Sequence, residues 1–283
     1  MIDLFIPSKN RAMQLRFLLE SVAENMPSFF NEIKILYTHT NEDFEKGYEK
    51  LKKEKILPNI VWQKEHNLVE DFFKYLEDSD SDYICGMTDD CVVYKKVPAS
   101  SELVESMLED EDVICFTLRL GLNTEIQNYL SKGRNVLTEY EENSIGIKWN
   151  YSTFAHTANY GYPITLDGHI YRPKELLDFS KRIKVETIRQ WESHTVRSCL
   201  MDKDAKKYMS SFKQSILFSI PCNCVQYDES LLFGQIHEHS EIDLNKKYLN
   251  GEIISWDKMQ YAFQNVNWAH NEVKLFFEEQ KKE

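Results

Sequence analysis

The sequence predicts an α/β protein with a mostly parallel sheet flanked by helices, and three observations support that expectation. Apolar strand-like runs alternate with amphipathic helical stretches from the N-terminus to about residue 118. Polar segments fall where those runs end. The fourth run, residues 83–87, gives way to Thr88 and two adjacent carboxylates, Asp89 and Asp90, before a second short apolar run, Cys91-Val92-Val93. Strands that alternate with helices pair in parallel through right-handed crossovers, which puts the helices on the sheet faces.

Residues 2–6 form the first, buried strand. Pro7-Ser8-Lys9-Asn10 is a loop into a helix over residues 11–25, whose Leu15, Leu18, Leu19, Val22 and Met26 share one face. Residues 32–38 are the second strand and 43–54 a charged amphipathic helix. Residues 59–63, 68–76 and 83–87 repeat the order strand, helix, strand. A helix at 101–109 and a strand at 112–118 continue it. Residues 121–142 are polar and aperiodic, as in a long loop or flap. Residues 149–163 are dense in aromatics with Asn and Thr, a composition that suits either core or a surface stacking on sugar rings. Residues 166–172 resemble a strand, followed by helices at 173–179 and 186–201, strands near 216–220 and 223–226, and two closing helices.

With 42% hydrophobic and 13% aromatic residues, the 283-residue chain can fill one large α/β core, or a core with a small appendage. A formal charge of −12 argues against a nucleic-acid surface, so an anionic substrate would need a local cation. The first residues show no signal-like pattern and no run of about eighteen apolar residues occurs. A cytoplasmic protein is expected, with no transmembrane segment and with peripheral membrane association left open. The six cysteines lack CxxC spacing, which points to neither zinc nor a disulfide framework. Neither G-x-G-x-x-G nor G-x-x-x-x-G-K-[ST] is present, which disfavours a dinucleotide dehydrogenase and a P-loop ATPase.

Ligands of such sheets bind at the carboxyl ends of the strands. There the sequence places Pro7 to Arg11, Thr38 to Asn41, and Asp89-Asp90, which should converge on one cleft. Mg²⁺ or Mn²⁺ is commonly held by one or two carboxylates and a substrate's phosphates. Asp90 is the expected metal ligand and Asp89 the partner of a ribose or a metal-bound water; an exposed acidic turn is the alternative. Lys9 or Arg11 could assist a phosphate, or form a solvated pair at a helix start. Asn41 or Asp43 could bind a base or ribose, or cap a helix. His237 and His239 alternate, so one of them could complete a metal shell, whereas a surface position is the simpler reading.

Taken together, Ile6-Pro7-Ser8-Lys9-Asn10-Arg11, Leu18-Leu19-Glu20-Ser21 and Thr88-Asp89-Asp90 resemble family 2-like bacterial glycosyltransferases. So do Leu166 to Arg172, Ile220 to Gln226 and Leu244 to Gly251, in the same order along the chain. The resemblance implies a GT-A fold, with a nucleotide-sugar-binding half over residues 1–118 merged with an acceptor-binding half over 119–283. It implies a nucleotide-diphosphate sugar as donor, a glycan or glycolipid as acceptor, and Mn²⁺ or Mg²⁺. Pro7, Ser8, Asn10, Arg11, Asn41 and Asp89 would line the nucleotide, and Asp90, His237 and His239 the metal. Thr88 departs from the pattern, since the family often has an acid there. Glu192, in Trp191-Glu192, and Asp167 are the carboxylates that could deprotonate an acceptor hydroxyl; a solvated helix face and a turn before Gly168 are the plainer readings. A nucleotidyltransferase and a catalytically idle sugar-nucleotide-binding protein are the competing functions.

Overall fold

The computed structural model describes residues 1–126, 133–134, 136–155, 158–223 and 239–280. The first half alternates as expected: β1 Ile2–Lys9, α1 Ala12–Asn25, β2 Ile33–Thr38, α2 Glu42–Glu54, β3 Ile60–Lys64, α3 Leu68–Asp78, β4 Tyr83–Gly86 and β5 Cys91–Val93, then α4 Ser101–Leu108 and β6 Val113–Thr117. The second half adds β7 Glu141–Glu142, β8 Gly146–Asn150, β9 His169–Tyr171, α5 Pro173–Lys181, α6 Ile188–Met201, β10 Tyr208–Phe212 and β11 Leu217–Ser219. It closes with α7 Glu241–Leu249, β12 Glu252–Ile254, α8 Trp256–Met259 and β13 Phe277–Glu279.

Nine strands form one sheet in the order β3-β2-β1-β4-β9-β6-β10-β8-β7. The pairs β1/β2, β2/β3, β1/β4 and β6/β10 are parallel, while β9 runs antiparallel between β4 and β6. This is the mixed, mostly parallel α/β sheet the alternation calls for. A separate two-stranded ribbon pairs β5 with β11 and lies over the carboxyl end of β4.

Two details differ from the sequence reading. First, β1 continues through Pro7 and Ser8, which the sequence places in a loop. Phe5 and Pro7 face the β4 side, and β4 pairs only as far as Phe5, so the missing N–H of Pro7 falls where no partner strand remains. Second, β8 and β10 escape the apolar-run criterion. Their sequences are GIKWN and YMSSF, and Ser210 and Ser211 are fully buried.

Of the two readings open for the aromatic segment, core or a sugar-stacking surface, the structure shows core for its largest rings. Trp149, Tyr151 and Tyr160 are at most 1% exposed, and Trp149 donates its indole N–H to the Tyr160 carbonyl at 2.9 Å. Cys85, Cys91, Cys115, Cys199 and Cys222 are buried free thiols, whereas Cys91 and Cys222 are at polar edges in the sequence; Cys224 lies outside the described residues. No helix among the described residues is long and apolar enough to cross a membrane.

Candidate active site

At the end of β1 the chain turns sharply into α1. Asn10 adopts a left-handed backbone (φ 59°), a conformation Asn tolerates better than most residues. Its amide donates to Thr40 Oγ1 at 3.0 Å and its Oδ1 accepts from Thr40 N at 2.9 Å, so Asn10 ties the β1 and β2 ends together. Asn41 caps α2, accepting from the backbone N–H groups of Asp43 and Phe44.

Asp89, 4% exposed, has both oxygens engaged within the protein. Oδ2 accepts from Ser8 Oγ at 2.8 Å and Oδ1 from Arg11 Nη1 at 2.9 Å. Ser8 has one proton, which goes to the carboxylate, so Tyr48 must donate its own to Ser8 across the 2.8 Å between the hydroxyls. Arg11 also reaches Asp90 Oδ2 at 3.3 Å, and its remaining donors grip the side chain and carbonyl of Asn223. Arg11 is therefore a buried clamp between the two acidic residues and the 220–223 segment. Burial works against its charge, but Asp89 and Asp90 outweigh it and hold the guanidinium firmly protonated.

Asp90 is set differently. Its Oδ1 and Asp167 Oδ1 each lie 2.8 Å from Thr88 Oγ1. A threonine hydroxyl has a single proton and cannot give a full hydrogen bond to both. Burial pushes the Asp90 carboxyl up; Arg11 opposes this, Asp89 and Asp167 add to it, and the net shift is upward. For Asp167, burial also acts upward, but the hydrogen bond from His270 and the charge of Arg119 win and hold it well below the usual carboxylate range. Asp167 Oδ2 accepts from Arg119 Nη1 at 3.0 Å and lies 2.9 Å from His270 Nε2.

Glycine makes this convergence feasible. A Cβ on Gly86 would lie 3.0 Å from the Leu166 backbone, so only glycine lets the 163–167 loop press against the end of β4. Gly168 (φ 75°) then turns the chain into β9, its N–H donating to the Gly86 carbonyl at 2.7 Å. Glu192, half-buried on α6, joins from the far side: its Oε1 accepts from Thr165 Oγ1 at 2.9 Å and Leu166 N at 2.8 Å. Burial, then the Asp167 charge, raises its carboxyl to about 7.

Of the residues weighed from the sequence, the structure gathers Ser8, Arg11, Asp89, Asp90, Asp167 and Glu192 into one network. His169 is fully buried, and burial pushes its imidazole down to about 3. His239 packs its ring edge-on against Phe277 at 5.7 Å and its carbonyl accepts from Asn223 Nδ2 at 2.8 Å, supporting the residue that holds Arg11. His237 lies outside the described residues. The sequence reading missed Tyr48, Thr88 as a bridge, Arg119, Asn223 and His270. Arg119 had a usable signal, a lone cation two residues past a buried strand; His270 had none.

Among the described residues no group of three His, Cys, Asp or Glu side chains is arranged to hold a metal. The donors nevertheless fit a hard cation that a substrate helps to bind. Two carboxylates, Asp90 and Asp167, share one hydroxyl proton, and Asp90 keeps some exposure, its side chain being 16% accessible. One carboxylate plus phosphate oxygens is a common Mg²⁺ or Mn²⁺ shell.

No family model matches the chain, and no curated protein matches it significantly. Among solved structures, TarS of S. aureus is 12% identical, covering 77% of this chain and 36% of that one, with a TM-score of 0.47. The galactosyltransferase LgtC, in complex with donor and acceptor sugar analogs, is 15% identical over 70% of this chain and 69% of that one (TM-score 0.39). A cytidylyltransferase from Leptospira borgpetersenii is 14% identical over 88% and 94% (TM-score 0.42). The chain thus spans about a third of the TarS chain. It is similar in fold to glycosyltransferases of known structure and to a cytidylyltransferase; with TM-scores below 0.5, its activity must be read from its own residues.

Proposed function

We propose that this protein is a GT-A glycosyltransferase that moves a sugar from a nucleotide-diphosphate sugar to a hydroxyl of a glycan or glycolipid, with Mn²⁺ or Mg²⁺ assisting. The observation behind this reading is the position of Asp90 and Asp167 around one Thr88 hydroxyl, at the strand end where α/β sheets bind ligands. Two half-buried carboxylates facing one hydroxyl keep oxygen lone pairs to which a hard cation could bind. Asp90 would hold that ion together with the donor's diphosphate, and the bound ion would offset charge developing on the leaving phosphate.

The protein's own residues do the rest. Arg11, fixed by Asn223, keeps Asp89 and Asp90 side by side and offsets their mutual repulsion. Asn10 holds the β1 and β2 ends where a nucleoside would lie. The 165–167 loop sets Asp167 beside Thr88, and Glu192 of α6 braces that loop through Thr165 and Leu166; an acceptor hydroxyl that approaches there could lose its proton to one of these carboxylates. Calorimetry with UDP-, GDP- and CDP-sugars, with and without Mn²⁺, tests the reading. Metal-dependent binding that is lost in Asp90→Ala is expected. Binding of nucleoside triphosphates in preference to sugar nucleotides would favour nucleotidyl transfer, and metal-independent binding without turnover would mark an idle binding protein.

A further inference from the structure

A cleft of about 600 Å³ opens beside the β5/β11 ribbon, apart from the acidic network. That volume is ample for a small ligand. Its wall carries the amide side chains of Asn123, Gln214, Gln264, Asn265 and Asn267, together with the Tyr94 ring.

We propose that this cleft binds a neutral carbohydrate chain, separately from the place of sugar transfer, and so holds the distal part of an acceptor glycan. The acceptor role rests on the glycosyl-transfer reading above; the binding site does not.

The frame of the cleft is fixed. Asn123 Nδ2 donates to Ser215 Oγ and to the Val266 carbonyl, both at 2.9 Å, and Asn123 Oδ1 accepts from Ser215 N at 2.9 Å. One amide thereby joins the segment after β6, the approach to β11 and the 264–267 segment. Tyr94 donates its hydroxyl to the Ser215 carbonyl at 2.6 Å and packs edge-on against Phe218 at 5.6 Å, so its half-buried ring is held in place. A fixed aromatic ring gives the apolar face of a sugar something to pack on at little entropic cost.

The other amides of the 264–267 segment are not tied down. Among the described residues Gln264, Asn265 and Asn267 make no side-chain hydrogen bond, while the Asn267 carbonyl accepts from Ile126 N at 3.0 Å and anchors the backbone. An amide offers an acceptor and two donors on adjacent atoms, and a sugar hydroxyl both donates and accepts. Three such groups on one wall suit a ligand with many hydroxyls.

Charge and polarity narrow the ligand further. The charged lining residues are Lys95, which donates to Gln214 Oε1, and Glu125, which pairs with Arg134. One cation and one carboxylate leave the wall near neutral, without the clustered Lys and Arg that a polyanion needs. Phe263 and Val266 are at most 7% exposed, which leaves little apolar surface for a lipid chain.

The cleft and the catalytic network share one support. Tyr94 N donates to the Ile216 carbonyl at 2.9 Å and prolongs the β5/β11 pairing, four residues beyond Asp90 and about 13 Å along an extended chain. From the cleft, the 264–267 segment leads to His270, which bridges to Ser219 of β11 and touches Asp167. A glycan held in the cleft therefore stays at high effective concentration around the carboxylates.

The full chain, without donor or metal, is applied to a printed array of neutral and acidic glycans, and affinity for the retained glycan is measured by calorimetry. Gln264 and Asn265 are exposed, so Gln264→Ala/Asn265→Ala and Asn265→Trp should melt within about 2 °C of wild type. Wild type should be retained on neutral glycans, and both variants should bind at least about tenfold more weakly. Asp90→Ala should bind the glycan as wild type does. With that glycan as acceptor and UDP-, GDP- and CDP-sugars as donors, the variants should raise the acceptor KM at least about fivefold and keep kcat within about twofold. Retention on no neutral glycan, preference for acidic glycans, variants that bind like wild type, or binding lost in Asp90→Ala overturns the separate site. A bound glycan that receives no sugar from a protein that binds sugar nucleotides overturns the acceptor role. A wild type that binds glycan but no sugar nucleotide overturns the glycosyl-transfer reading and supports the carbohydrate site.

Discussion

Glu192→Gln offers a test of the site's electrostatics that needs no substrate. Burial and the neighbouring Asp167 charge raise the Glu192 carboxyl from an ordinary 4.5 to about 7. The difference, 7 − 4.5, is about 2.5 pH units, or about 3 kcal/mol as an upper bound. Because the side chain is only half-buried, solvent screening reduces this to about 1–3 kcal/mol. Between pH 4.5 and 7 the folded state holds more protons at this group than the unfolded state does. Its stabilising contribution is therefore complete below pH 4.5 and is lost as pH rises through 7. Glutamine has nothing to titrate, and its amide oxygen can still accept from Leu166 N and Thr165 Oγ1. Urea denaturation of both proteins at pH 4.5, 5.5, 6.5 and 7.5 isolates the effect, because all other titrations cancel in the difference. The wild type should lose about 1–3 kcal/mol relative to Glu192→Gln over that range; a difference constant within about 0.5 kcal/mol would show that the carboxyl is solvated like any surface glutamate.

Two further outcomes follow from packing. Arg11→Met leaves the buried Asp89 and the half-buried Asp90 without their cation and should cost about 3–5 kcal/mol in chemical denaturation at neutral pH, with part of the loss recovered at pH 4 as carboxylates protonate; a cost below about 1 kcal/mol would mean that the clamp is not formed. Trp149→Ala should cost about 3–5 kcal/mol, because the ring is core, stacked edge-on against Tyr160 at 5.6 Å; a near-neutral melting temperature would return this ring to a sugar-facing surface.

The site shows where local pattern stops being informative. Asp89 and Asp90 stood out because an apolar run broke off on them, but their separate environments could not be read from adjacency. Asp89 is clamped by Ser8 and Arg11, while Asp90 shares Thr88 with a residue 77 positions away along the numbering. The partner of Asp167 followed the same pattern. His270 sits in a polar tail with no period or motif around it, and only its register against Ser219 brings it to Asp167. Buried serines hid β10, since Ser210 and Ser211 satisfy their hydroxyls within the sheet region and so tolerate burial that composition argues against.

By itself, the order of residues determined the strand and helix alternation of the first half, the polar character of each strand's carboxyl end, and the acidic pair at the tip of β4. These are local properties, set by side-chain periodicity and by which residues stop an apolar run. Tertiary structure alone decided that Arg11 neutralises that pair, that Gly86 admits the 163–167 loop, and that Asp167, Arg119 and His270 meet. Those partners are joined by close contacts between segments far apart in the chain, and no local periodicity encodes such a contact.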